Sequence, residues 1–88
     1  MWQIEYSQQF RKVAKKLDKA TLQRVVSYLD SLAKVSNPRI QGKALTGDLS
    51  GYWRYRLGNY RIIVEIKDSE LVIVAINVGH RSSVYRKR

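Results

Sequence analysis

With 88 residues, 44% of them hydrophobic, the chain is expected to be one domain over 1–88 with a modest core. It has no cysteine, which rules out disulfides and thiolate chemistry, and no run of about 18 apolar residues, so no membrane span is expected. The net charge of +10, from 17 Lys and Arg against 7 Asp and Glu, points to a polyanionic partner: nucleic acid, a ribosome or an acidic protein. Met1-Trp2-Gln3-Ile4-Glu5 has neither the charged nor the apolar region of a secretory signal, so a cytoplasmic location is expected.

Trp2, Ile4 and Tyr6 alternate with Gln3 and Glu5, the pattern of a short strand with one buried face. Ser7 is a good N-cap, and Phe10, Val13, Ala14 and Leu17 follow at helical spacing, so a helix is expected over 8–17. Its outer face carries Arg11, Lys12, Lys15 and Lys16, either a solvated lysine face or a surface that docks on RNA backbone. Asp18 caps a second helix running to about Lys34, with Leu22, Val25, Val26, Leu29, Leu32 and Ala33 as its buried stripe. The short connection predicts an antiparallel αα-hairpin. Pro38 ends the second helix. Residues 39–51, with Gly42, Gly47 and Gly51, have no clean period and read as a loop of about 13 residues, with at most one turn near Lys43-Ala44-Leu45. Lys43 in this loop is counted with the cations that would contact RNA or ribosome.

Tyr52 to Arg61 reads as a β-hairpin closed by Gly58-Asn59, with glycine placed for a type II′ turn. That turn sets Leu57 opposite Tyr60 and Arg56 opposite Arg61. Trp53, Tyr55 and Leu57 then share one face, and Arg54, Arg56 and Arg61 the other. Two arginines directly opposite one another repel. They are either splayed into water or gathered as an anion site, for which Arg suits phosphate. The second arm continues to Ile66, residues 67–70 form a turn, and the apolar run 71–78 is a strand buried on both faces that Gly79 ends. The fold class is therefore α+β, in the order β-α-α-β-β-β. A small, twisted, mainly antiparallel sheet carries the αα-hairpin on one face and leaves the arginine face open. This topology brings His80, Arg81 and Tyr85 back toward the arginines.

No glycine-rich phosphate loop is present, the carboxylates are scattered, and one His without Cys does not make a structural metal site. Ser82 and Ser83 near His80 lack the setting of a nucleophile elbow. The cluster Arg54, Arg56, Arg61, His80, Arg81 and Tyr85 suits RNA transesterification, which needs a base for the ribose 2′-OH, cations for charge on phosphorus and an acid for the departing oxygen. It needs no metal or other cofactor. Arg stays protonated and is a poor base, whereas histidine titrates near neutrality, so His80 is the natural proton carrier. Tyr85 would stack on a base or hold the phosphate.

The series Asn37-Pro38-Arg39, Lys43-Ala44-Leu45-Thr46-Gly47, Tyr52-Trp53-Arg54-Tyr55-Arg56-Leu57, Tyr60-Arg61-Ile62, Val78-Gly79-His80-Arg81 and Val84-Tyr85 resembles the RelE toxins of the RelE/ParE superfamily. The resemblance spans nearly the whole chain and implies a microbial RNase-like fold. It implies a ribosome-dependent endoribonuclease that cuts messenger RNA in the A site, with Arg54, Arg56, Arg61, Arg81 and Tyr85 as the active site. It also implies a RelB-like antitoxin, acidic and partly disordered, with operator DNA reached only through that antitoxin. The first-strand pair is typically lysine in the best-known ribonucleases and is Arg here, which raises the weight on His80. Only Arg86, Lys87 and Arg88 follow Tyr85, so the C-terminal helix of several members is expected to be missing or very short. The rival readings are a ParE-type inhibitor of DNA gyrase and a non-catalytic RNA-binding module.

Overall fold

The structure, a computed structural model, describes residues 1–80. Its elements are β1 (Gln3–Tyr6), α1 (Gln8–Ala14), α2 (Lys19–Leu32), β2 (Lys43–Ala44), β3 (Trp53–Leu57), β4 (Tyr60–Lys67) and β5 (Val72–His80). Both predicted caps are in place. Ser7 Oγ accepts from the Phe10 N–H at 3.0 Å, and Asp18 accepts from the Thr21 N–H at 3.1 Å. Each helix leaves α-geometry sooner than the apolar spacing suggests, because the apolar repeat runs on through the closing turns at 15–17 and 33–35. None of the described helices is long and apolar enough to cross a membrane.

The five strands lie in the order β1-β5-β4-β3-β2. β1 pairs with β5 in parallel, and the other neighbours are antiparallel. The element order is thus β-α-α-β-β-β-β. The added strand is β2, two residues long, too short for any alternation to reveal it.

One sheet face forms the core. Tyr55, Ile62, Val64, Ile73, Ala75 and Val78 meet Phe10 from α1 and Val25, Leu29 and Leu32 from α2 in one buried cluster, closed by Trp2. The α2 contacts fall at i, i+4 and i+7, a single stripe, while Leu22 and Val26 stay half-buried and line a hollow with Phe10, Arg11 and Ala14 of α1.

The hairpin has the predicted register, with Arg56 opposite Arg61 and Leu57 opposite Tyr60. Gly58 has φ +61°, and Asn59 is not among the residues of positive φ, the signature of a type II′ rather than a type I′ turn. One expectation about β5 is corrected. Gly79 does not end the strand, which continues through His80. The pairing with β4 also slips, since Ile63 faces Asn77 while Val64 faces Ala75 and Ile76 is left as an extra, bulged residue. Ser7 holds that bulge, its hydroxyl donating to the Ile76 carbonyl and its N–H to the Ala75 carbonyl, each at 2.9 Å. A bulge shifts strand parity by one. Beyond it Val78 enters the core and Gly79 falls beside Arg61.

Candidate nucleic-acid interface

Residues directly opposite in adjacent strands share a sheet face. On the face away from the helices, register therefore builds two rows across the sheet. Lys43, Arg54, Ile63 and Asn77 form one, and Arg56, Arg61 and Gly79 form the other. Four cations stand in adjoining positions. Gly79 has no side chain, so β5 places nothing over the end of the arginine row. The short strand β2 adds Lys43, which the sequence placed among general RNA contacts and the fold sets directly opposite Arg54. Among the described residues, none of Lys43, Arg56 and Arg61 meets a carboxylate.

The three arginines differ in environment. Arg56 is exposed and Arg54 half-buried, but Arg61 is only 6% exposed, so the expectation of a uniformly open arginine face is corrected. Arg61 Nη1 donates to the Tyr60 carbonyl at a long 3.4 Å, and its Nε has no partner among the described residues. A buried guanidinium held by one weak bond to a neutral acceptor is costly to keep. Packing alone would favour Met or Leu there, whereas an arriving phosphate would supply the missing charge and acceptors.

His80 sits on the other side. The Ile76 bulge sets it opposite Tyr60, on the face of Leu57, with the His80 and Tyr60 rings edge to face at 5.9 Å. The expected convergence of His80 on the arginine face is therefore not what the register shows. Without the bulge, strand alternation would have put His80 beside the arginines, and nothing in the apolar run 71–78 signals the extra residue. Arg81 and Tyr85 lie outside the described residues. Arg11, Lys12, Lys15 and Lys16 are all exposed on the helix side, so the fold does not join them to the cations of the sheet.

The segment between α2 and β3, read from sequence as a loop, is built by contacts the sequence did not disclose. Buried Tyr55 donates its hydroxyl to the Pro38 carbonyl at 2.8 Å, and Trp53 Nε1 donates to the Gln41 carbonyl at 2.7 Å. Tyr28 of α2 donates to the Gln41 side chain at 2.6 Å. Arg39 forms a bidentate pair with Asp68 at 2.8 and 2.9 Å and lies over the Trp53 ring, which ties the segment to the β4–β5 turn. The Arg39 guanidinium holds the Asp68 carboxyl below the usual carboxylate range. Burial drives the Tyr55 phenol well above its ordinary range, keeping it protonated as a donor. Aromatic residues interleaved with the arginines of β3 were the one available sign of this arrangement.

Comparison with known proteins agrees with this architecture. The family model for the ParE toxin of type II toxin–antitoxin systems matches residues 4–85. Toxin RelG of Mycobacterium tuberculosis is 37% identical over 46 residues, 52% of this chain and 53% of the relative. Toxin RelE of the same organism is 36% identical over 52 residues, 59% of this chain and 54% of the relative. The match thus spans about half the length of these curated relatives. Among solved structures, a RelBE toxin–antitoxin complex from M. tuberculosis aligns with a TM-score of 0.82 and 28% identity over 93% of each chain. The isolated Escherichia coli RelE toxin aligns with a TM-score of 0.74 over 100% of this chain and 89% of that one, at 16% identity, a likeness of fold. The chain belongs to the ParE toxin family of type II toxin–antitoxin systems and is a RelE-like member of it.

Proposed function

We propose that the chain is a ribosome-dependent endoribonuclease that cleaves messenger RNA by attack of the ribose 2′-OH on the adjacent phosphate. The 2′-oxygen forms a bond to phosphorus, the bond from phosphorus to the 5′-oxygen breaks, and the products are a 2′,3′-cyclic phosphate and a 5′-hydroxyl. Charge accumulates on the phosphoryl oxygens in the transition state, and preorganised cations that meet it there lower the barrier. Arg54, Arg56 and Arg61 supply that charge, with Lys43 at the margin. The observation that carries the reading is the buried Arg61 guanidinium in a cross-strand row of cations, a poor choice for stability and a good one for an anion.

Arg81 and Tyr85 join the site by resemblance to the family. His80 enters as the proton carrier because it is the one imidazole in the chain. From the Tyr60 side it reaches the arginine face only around the end of the sheet, so His80→Ala is expected to slow cleavage less than loss of Arg61. The exposed Arg11, Lys12, Lys15 and Lys16 surface would engage ribosomal RNA backbone. Solved structures of relatives hold RelE together with RelB, which supports an acidic RelB-like antitoxin as partner, through which alone operator DNA would be reached. An enzyme acting on translating ribosomes would work in the cytoplasm.

The test is primer extension on a reporter message after induction, with and without translation of that message. Cuts confined to translated codons are expected. Intact message in growth-arrested cells would overturn the ribonuclease reading and favour the ParE-type one, in which the cationic face binds a gyrase without cleaving anything.

A further inference from the structure

Where β2 meets the outer edge of β3, the cationic face continues into a cleft of about 340 Å³ lined by Tyr28, Gln41, Gly42, Lys43, Arg54 and Arg56. That volume is at the small end for ligand sites. Three of the six lining residues are cations of the sheet face, so whatever lies on the arginines also borders this cleft. Its other wall is an aromatic ring and a side-chain amide.

Both walls are fixed by the strand that displays the arginines. Tyr55 stands between Arg54 and Arg56 in sequence and points to the opposite face. There its ring meets Tyr28 edge to face at 5.7 Å, and its hydroxyl holds the Pro38 carbonyl. Trp53 holds the Gln41 carbonyl. Gly42 has φ +80°, and a Cβ there would collide with the Arg54 carbonyl oxygen and the Tyr55 ring, so the chain is pressed onto β3 at this point by a residue that must be glycine. Such support, from buried Tyr55 and half-buried Trp53, is what holds a recognition site in one geometry.

The polar chemistry is one-sided. The Gln41 Oε1 accepts from the Tyr28 hydroxyl at 2.6 Å, which orients the amide. Among the described residues no hydrogen bond is made by its NH₂, which leaves a donor at a cleft that Lys43 also lines. A cleft with an aromatic wall and donors at its rim suits an unstacked base that presents acceptors along its edge. We propose that this cleft seats a nucleobase next to the phosphate held by Arg54, Arg56 and Arg61, and that the Gln41 amide reads its edge. The assignment rests on the ribonuclease reading and makes Gln41 a specificity residue and Tyr28 its positioning residue.

The experiment measures cleavage of ribosome-bound messages in which the bases on both sides of the cut are varied through all four. The wild type is expected to rank the bases at one of these positions, with acceptor-rich edges first. Gln41→Ala should reduce the ratio of best to worst base at that position at least fivefold, and Tyr28→Phe, which frees the amide to rotate, should reduce it by a smaller factor. Thermal melting of each variant confirms that it is folded. If Gln41→Ala slows cleavage equally for all four bases and keeps the ranking, the residue is merely structural and the subsite is refuted. If the wild type cuts no translated message, the ribonuclease reading fails and the subsite fails with it, and this outcome is read in the wild type alone.

Discussion

On one face of the sheet, Tyr55, Ile62, Val64, Ile73 and Val78 are buried against Phe10, Val25, Leu29 and Leu32. On the other, Lys43, Arg54, Arg56 and Arg61 stand in cross-strand rows. The same strands supply both faces, alternate residues going to each. The first arrangement lowers the free energy of the folded chain by removing apolar surface from water. The second raises it, by setting like charges opposite one another and by burying a guanidinium that makes one weak bond among the described residues. A small domain tolerates the second only because the first is well packed, and such a conflict is the mark of a site shaped by what it binds.

This contrast makes the two faces respond differently to substitution. Leu29→Ala, at a fully buried position on the helix face, should cost about 2–5 kcal/mol in a denaturant melt, enough to unfold much of a marginal domain and remove activity only by that route. Tyr55→Phe should cost about 1–3 kcal/mol, because it leaves the Pro38 carbonyl without its buried donor, and it should loosen the segment that borders the cationic face. Lys43→Ala should behave as a residue of the other face. Stability should stay within about 0.5 kcal/mol. The slope of log affinity for single-stranded RNA against log salt should become shallower by about 0.7 if one phosphate contact is lost.

The smallest effect belongs to neither face. Asp68 is lowered by Arg39, and Asp18 by the Thr21 hydroxyl and N–H, so both bind protons less readily folded than unfolded. Their contribution is present above the ordinary carboxylate range and is lost as pH falls through the lowered values. A melting temperature steady near neutrality should fall in acid. Asp68→Asn should remove part of that fall, a change of at most a few degrees for so exposed a pair.

Much of this was legible in the sequence because it rests on short-range rules. Gly58-Asn59 fixed the hairpin turn, the turn fixed the register, and the register put Arg54, Arg56 and Arg61 on one face. Ser7 and Asp18 announced the helix starts. What escaped depends on contacts distant in sequence. Lys43 joins the cations only because Lys43 and Ala44 find the edge of β3, and two residues carry no period. His80 moves to the Tyr60 side because Ile76 is bulged and fastened to Ser7, nearly seventy residues earlier in the chain by the strand order. Gln41 acquires its setting from Tyr28, Trp53 and Tyr55 on two other elements.

The most direct measurement is cleavage of a translated message by Arg61→Met, with a thermal melt of the same preparation. Met keeps most of the volume and removes the buried charge. If Arg61 is held in place for the phosphate, cleavage should fall about a hundredfold or more while the melting temperature is equal or higher. Cleavage within threefold of the wild type, or a folded protein that melts far lower, would show that Arg61 serves packing and that the cationic face is not the site of chemistry.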